Sequence, residues 1–342
     1  MKKIDNLWYL ANDEYEANLN MMYNEVSKIH HHVRPYFFTD HSISHSERIM
    51  HHLLKLFPFL FINGEEEHML SDVEKFILFS SILLHDIGIA LIDKEKIKQL
   101  SLKFPDLLNV PTDENHINDI YIRNNHHLLS KLWILEESSN VNSDKIELRK
   151  AYIGNNILAK YVANVCESHG INFEDSPSHT KTTAYGFERI RMGLLCTLLS
   201  LGDALDCDQN RIDYDVLKTS DISVDSRVHW MKHYYVDGII LTPNLINIYY
   251  SFPENGDEML NNLYKEYFIQ KTKYWIEKCF TVRKNYIFPI KAICRVVDNV
   301  EFTKDKDTLK CNELELIKNE YMKELTKNKK QIDNMIHYLE KL

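Results

Sequence analysis

The residues of this chain that could do chemistry are imidazoles and carboxylates set where an apolar core would exclude them. "LLHDIGIA", residues 83–90, places His85 and Asp86 side by side at the end of an apolar run. An unpaired buried charge is costly, so the pair must be satisfied or must itself hold something. His169 in "CESHG" and Asp203 in "LLSLGDALDCD" repeat the pattern. Each closes a strongly apolar helical run, with Ile157, Leu158, Val162 and Val165 before the first and Leu194 to Leu201 before the second. Upstream, His41, His45, Arg48 and His52 are spaced 4, 3 and 4, which puts them on one helix face. "RNNHHLLSKLW" adds His126 and His127. A single polar residue in an apolar run is ordinarily a satisfied core residue, and a polar stripe is ordinarily a solvated face. Three apolar runs that each end in imidazole or carboxylate are hard to explain one at a time. Imidazole plus carboxylate is the ligand set of a divalent transition metal, and a bound cation lets carboxylates lie deep.

Helices have to carry these groups. Only 9 Gly and 8 Pro in 342 residues argue for long helices and few tight turns. Residues 1–34 read as helix until Pro35 stops it. "TDHSISHSERIMHHLLKLF" restarts a helix, with Thr39 or Asp40 as N-cap. Ser71 and Glu74 form a capping-box signature ahead of the segment that ends at "HDIG", with Gly88 as its terminator. Helices are also predicted over 115–137, 144–169 and 185–206, and a polar surface loop over 171–184. "DGIILTPNLINIYYSF", rich in Ile and Tyr and split by Pro243-Asn244, predicts a β-hairpin. Helix returns from 257. The expected organisation is an N-terminal helical segment (1–34), a core (35–215), a hairpin element (216–255) and a C-terminal helical region (256–342). At the C-terminus Tyr321, Leu325, Ile332, Met335, Leu339 and Leu342 form a stripe with spacings of 4 and 3, interrupted by Asn328. Such a stripe suits either a homo-oligomer contact or packing against the chain's own bundle.

Composition narrows the class. Hydrophobic residues are 44% and charged residues 27%, as in an ordinary soluble protein with a sizeable core. The net charge of −9 argues against broad nucleic-acid binding while leaving room for a local basic pocket. Six cysteines without a CxxC pair suit buried thiols in a reducing compartment. No apolar stretch reaches transmembrane length and no apolar core follows the N-terminal lysines, so the expectation is a cytoplasmic protein without a membrane partner.

In chain order, "FTDHSISHSERI", "LLHDIG", "HHLLS", "ESHG" and "LGDALD" spell H…HD…H…H…D. This resembles the HD-domain metal-dependent phosphohydrolase superfamily over roughly residues 35–235. "VHWMKHYYVDGIILTP", after the last Asp, is similar to the bacterial HD-CE-like subgroup. The resemblance implies a mainly α fold: an HD-domain helical bundle, here over 35–215, with a small β-hairpin insertion and C-terminal helices. It implies a first metal on His45, His85, Asp86 and Asp203. Asp86 then bridges to a second metal on His126 and His169, with the family spacing to the following Ser favouring His126 over His127. The cofactor would be one or two divalent cations per chain, of Mn, Fe, Co, Ni or Zn. His41 would orient a ligand or touch the substrate. Asp206 and Asp208 have no role in this scheme and read as solvated helix-end residues. The implied chemistry is hydrolysis of a phosphate ester or anhydride of a nucleotide by a metal-activated hydroxide. Asp86, His126 and Arg48 would be catalytic, and Arg48, Arg123, His41 and Lys232 would contact the substrate. Arg189, Arg191 and Arg211 flank the last motif as further cations. "HDIGIALID" lacks the continuation typical of deoxynucleotide triphosphohydrolases and no "GYP" occurs, so the partner stays a nucleotide or another phosphorylated small molecule. The added His126 and His169 favour a two-metal site of phosphodiesterase type. The alternative is a non-catalytic, metal-containing nucleotide sensor or a regulatory partner in a bacterial stress or antiviral module. The complete ligand set argues against it.

Overall fold

The apolar runs that end in His and Asp form the centre of a mainly α fold. The structure, a computed structural model, describes residues 8–32, 38–62, 64–65, 68–90, 94–111, 113, 117–139, 153–171, 181–219, 222–243, 245–254, 256, 258–281, 295–320 and 323. Helix α1 (Asp13–His32) starts after Asn12, whose side chain accepts from the backbone N–H groups of Glu14 and Tyr15. Helix α2 (Ile43–Leu56) is capped by Ser42, beyond both Thr39 and Asp40. Asp40 instead closes the preceding turn, accepting from the Ser42 N–H at 2.9 Å. His41 therefore stands ahead of the helix and off the face that carries His45, Arg48 and His52.

After the short α3 (Pro58–Phe61), α4 (Asp72–Leu84) begins with both hydrogen bonds of the predicted capping box. Every residue from Val73 to Leu84 is buried, as befits a helix surrounded by others. Then come α5 (Ile87–Ala90), α6 (Lys94–Lys103), α7 (Asp119–Ser139) and α8 (Asn156–Glu167). Asn155 caps α8. The helix expected from 144 thus starts at Asn156, and residues 140–152 lie outside the described residues. The central packing joins α4 to α8, α5 to α7 and α7 to α8.

The helix expected over 185–206 is shorter. Strands β1 (Thr182–Tyr185) and β2 (Glu188–Arg191) make an antiparallel hairpin, and only from Met192 does α9 (Met192–Leu205) run. The polar side chains of 182–191 could not have lain in the core that α9 enters; among them only Ile190 is buried. Glu74 of the α4 capping box secures the hairpin. Its carboxylate accepts from the Arg191 backbone N–H at 2.7 Å and from the guanidinium at 2.6 Å.

A 3-10 turn (Gln209–Arg211) leads to α10 (Tyr214–Thr219) and α11 (Val224–Tyr234). The predicted hairpin follows as β3 (Val236–Thr242) and β4 (Leu245–Pro253), so the segment 216–255 is hairpin only in its second half. Helix α12 (Glu258–Tyr264) passes through a π turn (Lys265–Ile269) into α13 (Gln270–Thr281). Strand β5 (Arg295–Thr303) then pairs parallel with β4, and α14 covers 311–320. The region after 256 is therefore not wholly helical. A parallel pair needs a crossover, and α12 and α13 lie in that connection. The C-terminal stripe from Tyr321 to Leu342 lies outside the described residues. Among the described residues no single helix is long and apolar enough to cross a membrane.

Candidate metal centre

The puzzle of His85 and Asp86 is solved by a break in the helix. Helix α4 stops at Leu84 and the chain turns at His85 and Asp86 before α5 begins at Ile87. Ser130 of α7 satisfies both sides of the break. Its hydroxyl donates to the His85 carbonyl at 2.6 Å and accepts from the Gly88 N–H at 2.8 Å. Gly88 is no terminator. It lies where α5 meets the backbone of α7, and a Cβ there would come within 2.2 Å of the His126 carbonyl oxygen. That close approach brings Asp86 to His126.

Four imidazoles converge, each with Nδ1 occupied. His85 donates to the Ile82 carbonyl at 2.9 Å, His126 to that of Arg123 at 2.7 Å, and His169 to that of Cys166 at 2.5 Å. Each acceptor lies three residues back, so the helical backbone itself holds the ring. His45 donates to the Asp206 carboxylate at 2.5 Å. All four therefore present Nε2 inward, where His45 and His85 are 3.2 Å apart and His126 and His169 are 2.8 Å apart. The Asp86 oxygens divide between the pairs. Oδ2 is 3.4 Å from His45 Nε2 and 3.1 Å from His85 Nε2; Oδ1 is 3.5 Å from His126 Nε2 and 3.6 Å from His169 Nε2. Asp203 Oδ1 joins the first pair, 3.3 Å from His45 Nε2 and 3.9 Å from His85 Nε2.

This donor set fits a cation. With Nδ1 as the donor, two Nε2 lone pairs at 2.8 Å face each other and repel unless positive charge lies beside them. Ligands about 2.1 Å from one ion lie about 3 Å from each other, which is the spacing here. Three groups of three donors form: His45 with His85 and Asp203, Asp86 with His126 and His169, and His41 with His45 and Asp86, the last closed by the hydrogen bond from His41 to Asp86. Carbonyl and carboxylate partners behind metal-binding imidazoles fix tautomer and ring orientation. In the metal-free site a proton can stand in: burial opposes charge on His45, but its bonds to Asp203, Asp206 and Asp86 push it up to about 10. Asp86 is buried and Asp203 half-buried; desolvation alone would raise both, yet the surrounding imidazoles hold both well below the usual carboxylate range.

Behind the donors lies a charged frame. Asp206 is fully buried, and besides His45 it accepts from Arg48 Nε at 2.7 Å and Nη2 at 3.0 Å. Arg48 Nη2 also donates to Asp40 at 3.1 Å. Arg48 thus grips the carboxylate that grips His45, and it does not line the cavity beside the donors. The reading of Asp206 as solvated is overturned. Its position three residues after Asp203, on the same helical face, was the available signal. Asp208 does sit at a helix end, capping the 3-10 turn through the Asn210 N–H. His41 donates from Nδ1 to Asp86 Oδ2 at 2.6 Å, with the Arg211 guanidinium alongside the ring. Burial, helped by Arg211 against the pull of Asp86, pushes His41 down to about 3.

A cavity of about 300 Å³ opens beside the donors, and His41, Arg123, Lys232 and Arg211 reach it. Arg123 donates to Ser226 Oγ at 2.9 Å and lies over the Phe38 ring. Lys232 projects from α11; burial pushes its ammonium down to about 8. Arg191 is committed to Glu74 and Arg189 is exposed on β2. His127 packs against Gly170, where a Cβ would lie 2.3 Å from its ring, and it offers no nitrogen to the donor groups.

A helical bundle that converges His and Asp side chains in this H…HD…H…H…D order is an HD-type metal-binding domain. The HD-CE family model matches residues 35–278, more than half of the chain, and the chain belongs to that family. No curated protein and no solved structure matches the chain.

Proposed function

We propose that this protein is a metal-dependent phosphohydrolase that cleaves a phosphate ester or anhydride of a nucleotide. The observation that carries the reading is the division of the Asp86 carboxylate between two inward-facing imidazole pairs beside a cavity with cationic walls. Bound there, divalent cations would supply an activated water and neutralise charge on a phosphoryl group. His45, His85 and Asp203 would hold one ion, His126 and His169 the other, with Asp86 shared. The chain's own contribution is orientation. Backbone carbonyls lock three rings, Asp206 with Arg48 and Asp40 locks the fourth, and His41 fixes the Asp86 oxygen it bonds. Arg123 and Lys232 bring positive charge to the open side, where a phosphate would enter.

The test is phosphate release from nucleoside mono-, di- and triphosphates and from cyclic and linear dinucleotides with Mn²⁺, alongside metal analysis of the purified protein. Turnover of at least one, lost in Asp86→Ala, is the expected result. Tight binding without turnover across the panel would replace the hydrolase with a nucleotide sensor.

A further inference from the structure

The cleft does not end at the metal centre. A second cavity of about 660 Å³ adjoins the first, and the two share Arg123, Asn124, His229, Lys232, Lys271 and Trp275. These junction residues include three cations and no carboxylate, with Lys271 paired to Glu320 of the second cavity at 3.4 Å. A polar wall with that balance suits negative charge placed beyond the metal-bound group.

Helices α7, α11 and α13 each give two residues to this wall, and α11 adds His233 on the first cavity. His229 and His233 stand one turn apart, ring centroids 5.2 Å from each other, with Lys232 next to them. His233 is 2% exposed, lines the first cavity, and neither ring nitrogen makes a hydrogen bond. The Cys207 backbone lies close enough to favour a charged His233 but not in bonding geometry. Burial nevertheless holds both imidazoles well below their ordinary value, so each is neutral, with one N–H to donate. A buried imidazole with no partner is costly, and a phosphoryl oxygen would satisfy it.

The second cavity is different in character. Tyr267, from the π turn, and Tyr274 and Trp275, from α13, give it aromatic walls. A π turn in mid-helix is rare and often marks a functional site; here it sets Gln270 and Lys271, the next turn, on the cavity. Lys278 lies over the Trp275 ring at 4.5 Å, and Glu320 is held by Tyr267 Oη at 2.6 Å and Lys271 at 3.4 Å. Aromatic walls next to a cationic junction suit a nucleobase attached to a phosphate chain.

We propose that His229, Lys232 and His233, with Arg123, form a subsite for a second phosphoryl group, and that the base of the same substrate lies against Tyr274 and Trp275. The ligand class is a nucleotide with at least two phosphoryl groups: a nucleoside di- or triphosphate, or a linear dinucleotide. This rests on the reading that a first phosphoryl group sits at the His/Asp cluster.

The experiment is calorimetric binding to the Mn²⁺-loaded full-length protein, so it does not depend on turnover. The probes are AMP, the uncleavable α,β-methylene analogue of ADP, pyrophosphate, and a linear dinucleotide with a phosphorothioate link. A second phosphoryl group should tighten binding about tenfold or more over AMP, the range of added charge-assisted hydrogen bonds. Lys232→Gln and His233→Gln should each pull that ratio toward one, with metal content and the helical circular dichroism signal kept. Trp275→Ala should weaken both nucleotide probes and leave pyrophosphate unchanged. The half-buried Lys232 keeps the test decisive should the His233 variant misfold. Preference for the ADP analogue over the dinucleotide, or the reverse, identifies the form of the substrate. Equal affinity for AMP and the ADP analogue, a ratio untouched by Lys232→Gln, or no binding of any probe would overturn the subsite. Hydrolysis of nucleotides with no such preference would remove the subsite and leave the hydrolase standing. The binding pattern without hydrolysis would do the opposite.

Discussion

On one wall of the cleft each of the four inward-facing imidazoles is held from behind by a backbone carbonyl or a carboxylate; on the other, His233 is buried with neither nitrogen bonded. The donor wall comes from α2, α7, α8, α9 and the break after α4, which pack into the main core. The opposite wall comes from α11 and α13. Groups fixed in advance suit an ion that stays, because their orientation is complete before the ion arrives. A buried polar group without a partner costs about 1–3 kcal/mol, and this is tolerable where a ligand comes and goes. The contrast assigns permanence to one wall and exchange to the other.

The largest effect should follow loss of the residue shared by both imidazole pairs. Asp86→Ala should abolish phosphate release and reduce bound metal to less than one ion per chain, while circular dichroism shows the helices intact. Unchanged metal content would break the comparison at its base. His169→Ala should be milder, costing one of two ions by elemental analysis, because His169 belongs to only one donor group.

Next is the frame behind the donors. Asp206→Asn removes the charge that orients His45 and should weaken metal binding or activity by about 10–100-fold. Arg48→Gln should lower metal affinity in the same direction by less, with KM at saturating Mn²⁺ unchanged. A raised KM with undiminished metal affinity would instead make Arg48 a contact to substrate.

Smaller effects concern pH. A metal ion must displace the proton that His45, pushed up to about 10, carries in the metal-free site. Apparent affinity should therefore rise about tenfold per pH unit through neutrality, and calorimetry in buffers of different ionisation heat should detect the released proton. Stability of the metal-free protein should move on the acid side. Burial pushes His52 and His127 down from 6.5 to about 4, so the stability from keeping them neutral is complete above pH 6.5 and is lost as pH falls toward 4. His45 acts oppositely, with a contribution complete below pH 6.5 and lost as pH rises toward 10. The prediction is a thermal midpoint several degrees lower at pH 5 than at pH 7.5, since His52 and His127, joined by His41, His229 and His233, which burial also holds down, outweigh His45. An unchanged midpoint would show that these imidazoles are not kept neutral in the folded protein.

Much of the architecture was legible because its signals are local. The Ser71–Glu74 capping box, the apolar run of α4 and the Ile- and Tyr-rich hairpin of β3 and β4 each depend on neighbouring residues. The hairpin at 182–191 and strand β5 were not legible. The hairpin is stabilised by a carboxylate 117 residues away, and β5 by parallel pairing to β4 across two helices. Residue types and their order likewise singled out the imidazoles and carboxylates that now converge. Roles in the surrounding frame do not show in the chain: order and spacing suggest Arg48 facing phosphate and Asp206 facing water, but their mutual hydrogen bonds turn both toward His45.

The sequence alone determined the inventory: helices that are apolar nearly throughout, each ending in a group of the kind that can hold a divalent cation. It did so because periodicity, capping and ligand chemistry are properties of short stretches. Tertiary structure alone decided the direction of each side chain. Gly88 lets α5 approach the α7 backbone closely enough for Asp86 to meet His126, and Gly170 gives His127 a place to pack away from the cluster. The partnerless ring of His233 was equally invisible in the chain, because whether a buried nitrogen has a partner depends on residues distant in sequence.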